Sequence, residues 1–145
     1  MKLSTRSRYG VRLMTRLAMS HGAGPVLMKD ISRREGISEK YLGQIIIPLR
    51  KAGLVTGRRG AGGGYTLARV PSEISVRDIV EVLETEVSIV PCAGDPRACA
   101  HSGVCAATDV WQRLATDIAE VLASYSLQDL AGVARRKESA AKEAT

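Results

Sequence analysis

Phenylalanine is absent from these 145 residues, aromatic side chains make up only 3% of them, and tryptophan occurs once. The core must therefore be built from Leu, Ile, Val, Ala and Met. No apolar run approaches the ~18 residues that a membrane-spanning helix needs. The opening Met1-Lys2-Leu3-Ser4-Thr5-Arg6 lacks the apolar stretch of a secretory signal. Together these absences predict a soluble, cytoplasmic chain with no membrane partner. Histidine occurs twice and cysteine three times. No nucleophile–base pairing and no paired carboxylates mark a catalytic pocket, which argues against an enzyme. No internal repeat is present.

What is abundant is positive charge, and it is unevenly placed. The net charge of +6 is the sum of two opposed segments. Residues 1–80 hold 15 Lys and Arg against 5 Asp and Glu, whereas residues 81–145 hold 6 against 10. A basic excess confined to one segment indicates a polyanion-binding half and a half with another task. A chain of this length accommodates one compact domain, or a small domain with a dimerising appendage.

Periodicity gives the organisation. A first helix is expected from Thr5 to about Ser20 with Ser4 as its N-cap, burying Tyr9, Leu13 and Leu17. Arg8, Arg12 and Arg16 form a neighbouring row that either touches phosphates or is a plain solvated face. Gly22-Ala23-Gly24-Pro25 ends this helix, and Val26-Leu27 suggests a short strand. A second helix fits Met28 to Glu35, Gly36-Ile37 makes a turn, and Ser38 caps a third helix, the pattern of a helix-turn-helix. The third helix buries Leu42, Ile45, Ile46 and Leu49 together with Tyr41, and leaves Lys40, Gly43, Gln44 and Ile47 outside. Pro48 within it predicts a kink or an early end. Leu54-Val55-Thr56 and Tyr65-Thr66-Leu67 then read as paired strands around Arg58-Arg59-Gly60-Ala61-Gly62-Gly63-Gly64, a basic, glycine-dense hairpin.

Ser75-Val76-Arg77-Asp78 has the form of a capping box opening a helix that runs to about Glu86, with Ile79, Val82 and Leu83 inward. Residues 88–105 read as irregular. Ala107, Val110, Trp111, Leu114, Ile118, Val121, Leu122 and Tyr125 keep a three-four spacing over five turns, a stripe that asks for a partner helix and predicts self-association. A short helix capped by Ser126 and Asp129 is expected to stop at Gly132, ahead of a frayed charged tail. The expected division is a winged helix-turn-helix domain over 1–86, a cysteine loop over 87–106, a dimerisation helix and short helix over 107–131, and a flexible tail over 132–145. The fold class is mainly α with a small β-wing.

A basic hairpin directly after a helix-turn-helix is a DNA-reading wing. Gln44 suits a bidentate pair with adenine, and Lys40 suits guanine or a phosphate. Ser38 and Tyr41 are placed for phosphates near the helix start, though Tyr41 fits core packing equally well. Arg58, Arg59 and Gly60 form the wing's approach to DNA, with Arg59 suited to a narrow A·T minor groove. A nucleotide-binding glycine loop is excluded by context, because Gly60-Ala61-Gly62 leads into a strand and not a helix.

The cysteines are Cys92, Cys99 and Cys105, in one Pro- and Gly-containing loop. Three cannot all pair within a chain, and clustered thiolates in the cytoplasm bind metal more often than they form disulfides. Iron–sulfur clusters and zinc both take thiolates, so both remain open, as do three unligated thiols. His101, Thr108 and Asp109 are candidates for a fourth ligand; the last two serve equally as charge or cap for the long helix.

Met1-Lys2-Leu3-Ser4, Arg8-Tyr9-Gly10, Asp30-Ile31-Ser32, Gly36-Ile37-Ser38, Tyr41-Leu42 with Gln44, Leu49-Arg50-Lys51-Ala52-Gly53-Leu54-Val55 and the wing from Arg59 to Tyr65 resemble the IscR/NsrR/RirA-type winged-helix regulators. The likeness covers about residues 1–130, including the cysteine loop and Trp111. It implies a homodimeric transcription regulator, most simply a repressor, bound to a palindromic double-stranded DNA site. By the same likeness an iron–sulfur cluster, 2Fe-2S or 4Fe-4S, is held by Cys92, Cys99 and Cys105 and senses iron–sulfur status, redox state or nitric oxide. The chain departs from the pattern in the x6 gap after Cys92, in Thr108 where the IscR type has a ligand histidine, in Gly43 for an acidic residue, and in Arg8 and Arg12 where other members draw a ligand. Cluster type and promoter class are therefore left open. The alternatives are a regulator with structural zinc or a thiol switch and, more distantly, a redox carrier.

Overall fold

The computed structural model describes residues 2–85 and 87–145. Helix α1 (Thr5–Met19) begins where the Ser4 hydroxyl accepts the Ser7 N–H at 3.0 Å. It buries Leu13, Met14, Leu17 and Ala18 on the stripe read from the sequence. Instead of a strand, Val26 makes a single antiparallel bridge with Tyr65. Helix α2 (Met28–Glu35) buries Ile31 and ends at Gly36, and Ser38 caps helix α3 (Glu39–Lys51), so the helix-turn-helix is present as expected.

Pro48 does not end α3 early: the helix runs on through it to Lys51, and the one backbone donor that proline removes is lost within the last turn. That end is held from outside the turn: the Gly53 N–H donates to the Arg50 carbonyl and the Leu54 N–H to Leu49, both at 3.0 Å. This closure satisfies two helix-end carbonyls and delivers buried Leu54 into the core. Strands β1 (Val55–Arg58) and β2 (Gly64–Leu67) pair antiparallel from Val55 with Leu67 to Arg58 with Gly64.

Helix α4 (Val76–Leu83) opens on the capping box of Ser75 and Asp78. It buries Ile79, Val80 and Leu83; Val80 takes the inward place assigned to Val82, which is half-buried against the core. The expected end at Glu86 lies outside the described residues. Glu84 follows α4, and its carboxylate accepts both the N–H and the hydroxyl of Ser4 at 2.8 Å, tying the start of α1 to the end of α4. The segment expected to be irregular contains a single-turn helix α5 (Pro91–Gly94) and a 3-10 turn at Pro96–Ala98. Helix α6 (Ala106–Ser124) is the long helix of the apolar stripe.

The C-terminal expectation is corrected. Helix α7 (Leu127–Glu143) passes through Gly132 and continues to within two residues of the end. A helical glycine costs about 1 kcal/mol relative to alanine, which packing of α7 on α1 outweighs. Leu127 and Ala131 are fully buried, Glu138 pairs with Arg16, and Arg135 donates to the Met19 carbonyl. One core joins α1, α3 and α4 with Leu67, Ile74 and the start of α7.

Candidate nucleic-acid interface and cysteine loop

Helix α3 presents its outer face because its apolar residues face inward. Lys40, Gln44, Ile47 and Lys51 are exposed. At about 100° per residue these four fall within an arc of about 60°, so they form one stripe. Exposed Ser38 caps the helix, accepting the Tyr41 N–H at 3.2 Å and leaving its own O–H free to donate. Tyr41 is half-buried, its ring edge-on to Tyr9 with centroids 5.9 Å apart. The ring is thus packed, as the core reading expected, while part of the side chain remains accessible.

The wing stands beside this stripe. Arg58, Arg59 and Gly60 are exposed, and no salt bridge holds either arginine among the described residues. The glycines shape the hairpin through two close approaches. A Cβ on Gly63 would lie 2.3 Å from the Arg58 carbonyl oxygen, and one on Gly64 2.5 Å from that of Val26. No other residue fits either place, so the reversal brings Arg58 and Arg59 to the tip with the backbone drawn close beneath them. The Val26 bridge, with both N–H···O bonds to Tyr65 at 2.9 Å, anchors β2 to the body.

Sequence reasoning missed Arg50 and Lys51 as part of this face. The Arg50 guanidinium lies over β1, 3.0 Å from where a side chain on Gly57 would begin. The helical spacing from Lys40 to Lys51 was the available signal. Conversely, two of the three arginines in the α1 row are held in an ion cluster. Arg12 Nε meets Glu35 at 2.9 Å and Arg16 Nη2 meets the same carboxylate at 2.6 Å, while Arg16 also bonds Glu138 at 2.8 Å. Burial opposes the Arg16 charge, but the hydrogen bonds and charges of Glu35 and Glu138 outweigh it and raise its pKa. Only Arg8, bonded to the Thr5 hydroxyl, lies outside this network.

Cys92 lies half-exposed in α5, Cys99 is exposed after the 3-10 turn, and Cys105 is exposed at the N-cap position of α6. The N–H of Ala107 and the hydroxyl and N–H of Thr108 hold the Cys105 thiol below its ordinary range. Among the described residues, no three His, Cys, Asp or Glu side chains come together as a metal-binding group. His101 is exposed in the loop, Thr108 is buried in the first turn of α6, and Asp109 stands beside it against the positive helix end. Among the described residues the three thiols are not gathered as folded, and no fourth donor joins them.

Beside this loop lies a cavity of about 710 Å³, bounded by Leu3, Arg8, Glu84 and Val87 and floored by Ile118 and Leu122 of α6. The outer face of α6 leaves Val110, Trp111, Leu114 and Val121 in solvent, with Tyr125 exposed just past its end. No described helix is long and apolar enough to cross a membrane.

Comparison with known proteins agrees with this arrangement. Residues 3–132 match the Rrf2 family, described as iron-dependent transcriptional regulators. The chain is 43% identical over 131 residues to the HTH-type transcriptional regulator CymR of Bacillus subtilis, covering 90% of each. The solved structure of CymR, the global cysteine regulator of B. subtilis, superposes with a TM-score of 0.78 at 41% identity, over 92% of this chain and 98% of that one. T. potens IscR superposes at 0.76 with 42% identity, over 92% and 88%. These relatives are regulators of transcription and not enzymes, their kinship implies DNA binding, and this chain belongs to the Rrf2 family of winged-helix transcriptional regulators.

Proposed function

We propose that the chain is a homodimeric repressor that reads a palindromic promoter site, with the cysteine loop as its sensory element. The observation that carries this reading is the exposed stripe Lys40, Gln44, Ile47 and Lys51 beside the unpaired arginines of the wing. Ser38, Lys40, Tyr41, Gln44, Arg58, Arg59 and Gly60 contact DNA: Gln44 an adenine edge, Lys40 guanine or a phosphate, Arg59 the minor groove. Dimerisation follows from α6, whose apolar side chains are too many and too contiguous to remain in water. The partner's α6 covers that face and closes the cavity floored by Ile118 and Leu122. Two recognition helices then lie about one helical turn apart on the duplex. The winged domain, the cysteine loop and the dimerisation helix act as successive units along the chain.

An iron–sulfur cluster is the proposed signal receptor, with Cys92, Cys99 and Cys105 as its thiolates. Loading it would require the loop to close, since the thiols stand apart as folded. That separation favours a second reading, in which the thiols respond directly; the likeness to a protein described as a global cysteine regulator supports it as well. Structural zinc is the remaining alternative for the same thiols. The test is iron, acid-labile sulfide and zinc content of anaerobically purified protein, with its visible spectrum and its DNA binding before and after chelation. Iron with matching sulfide and a brown colour supports the cluster. Zinc alone selects the structural site, and metal-free protein whose DNA binding follows thiol oxidation selects the thiol switch.

A further inference from the structure

We infer that Ile47 is a base-reading residue that recognises a thymine methyl group in the major groove. This rests on the DNA-binding reading of α3 and goes beyond its polar contacts. Ile47 is 64% exposed, although Ile45 and Ile46 beside it are buried. Neither burial nor helix propensity explains an isoleucine there. A β-branched residue is a poorer helix former than the lysine, glutamate or alanine that would serve on a solvated face. Its position is informative: it lies in the stripe between Gln44 and Lys51, with Lys40 one further step along. The lysines are suited to phosphates and Gln44 to an adenine edge, which leaves Ile47 as the one apolar surface aimed at the bases.

The charge around it argues for the same occupant. Ile47 lines an open groove of about 570 Å³ with Arg50, Lys51, Thr56 and Gly57, between the end of α3 and the first strand of the wing. An apolar protein partner would meet a rim with Arg50 and Lys51 on it, whereas duplex DNA offers phosphates to the cations and a C5 methyl to the isoleucine. In the major groove that methyl is the apolar group distinguishing thymine. Gln44 and Ile47 are three residues apart, about 4.5 Å along the helix. That lies between one and two base-pair rises of about 3.4 Å, so the structure assigns the pair to an adenine and a thymine on neighbouring base pairs.

The experiment uses the full-length protein and duplexes selected from a random library by the wild type, Ile47→Val and Ile47→Ser. The expected result is a thymine in each selected half-site that Ile47→Val retains and Ile47→Ser loses, with preferences elsewhere unchanged. Replacing that thymine by deoxyuridine, which removes only the methyl, should weaken wild-type binding about fourfold, the worth of one buried methyl group. Ile47→Ser should not distinguish thymine from deoxyuridine there. The inference is overturned if deoxyuridine at every thymine of the half-site leaves wild-type affinity unchanged, or if Ile47→Ser selects the same thymine. If the wild type selects no sequence, the DNA-reading assignment of α3 fails with it. Ile47 is exposed, so neither variant endangers the fold.

Discussion

Replacing Glu35 by glutamine removes one charge and almost no volume, and the structure gives the expected cost. Glu35 is 10% exposed and lies between two guanidiniums, accepting Arg16 on one oxygen at 2.6 and 3.0 Å and Arg12 on the other at 2.9 Å. Arg16 is only 14% exposed, so Glu35→Gln leaves a largely desolvated cation with a weaker partner. Removing one member of a fully buried pair costs about 3–5 kcal/mol. Here Glu138 remains on Arg16, and Arg12 is 45% exposed, so it regains water readily. These two facts reduce the expected loss to about 2 kcal/mol, or about 6 °C in Tm. Glu138→Gln should cost about 0.5 kcal/mol, because that carboxylate is itself largely solvated. The double variant should exceed the sum of the singles by about 1 kcal/mol, since only then does Arg16 lose both carboxylates. Urea unfolding followed by circular dichroism at one fixed protomer concentration measures all three. A Glu35→Gln loss below about 0.5 kcal/mol, or strict additivity, would refute the claim that Arg16 joins α1, α2 and α7 through a shared ion cluster.

Three further outcomes are expected. Arg59→Ala should reduce affinity about tenfold on duplexes with A·T-rich flanks and less on G·C-rich ones, read by fluorescence anisotropy; an equal loss on both would make Arg59 a phosphate contact and not a groove reader. Stability should fall with acid through Glu84 and Glu138. Burial raises the Glu84 pKa, but hydrogen bonds from Ser7 and Ser4 outweigh it, and the Arg16 hydrogen bond lowers that of Glu138. A carboxylate held below its ordinary value near 4.5 stabilises the fold above that value. The gain is lost as pH falls through and below it, so the Tm of wild type should drop between about pH 5 and 3, with a smaller drop in Glu84→Gln; parallel profiles would contradict this. Val121→Glu, at a site 58% exposed, should convert the proposed dimer to monomer by light scattering while leaving helicity unchanged, and a retained dimer would place the interface elsewhere.

Elements governed by neighbours in the chain were legible in the sequence. Ser4, Ser38, the Ser75–Asp78 pair and the Ser126–Asp129 pair all cap the helices assigned to them, because an N-cap is decided within three residues. Gly132 misled for the complementary reason. A local cost of about 1 kcal/mol marks a stop until burial is counted, and the contacts that overrule it come from α1, more than a hundred residues earlier. The arginine row of α1 was visible, but its destination was not, since Glu35 and Glu138 reach it from two other helices. The cysteines show the same division. Their grouping in one loop is plain from spacing, whereas whether three thiols converge depends on α5, the 3-10 turn and the start of α6 taking positions that spacing does not encode.

The arrangement of α4, α6 and α7 restricts how the cysteine loop can influence the DNA-binding face within one protomer. The loop leaves from the end of α4 and returns as α6. The end of α6 is then tied to the start of α4, where Ser75 and Ser126 bridge, the Val76 N–H donates to Tyr125 at 2.9 Å and the Leu127 N–H to Ile74 at 2.8 Å. Among the described residues the segment from α4 to α7 therefore closes on itself, with the loop side carrying only the single-turn α5 and a 3-10 turn. Helix α6 packs chiefly on α4 and α5, while α4 packs on both α1 and α3. A change in loop geometry thus reaches α3 through α4, or else across α6 through the partner of the proposed dimer. Glu84 lies on the first route, at the joint between the loop, the end of α4 and the Ser4 cap of α1. If the loop senses as proposed, Glu84→Gln should reduce the difference in DNA affinity between its two states by more than it reduces affinity itself. A variant that weakens DNA binding equally in both states would move the coupling to the dimer interface.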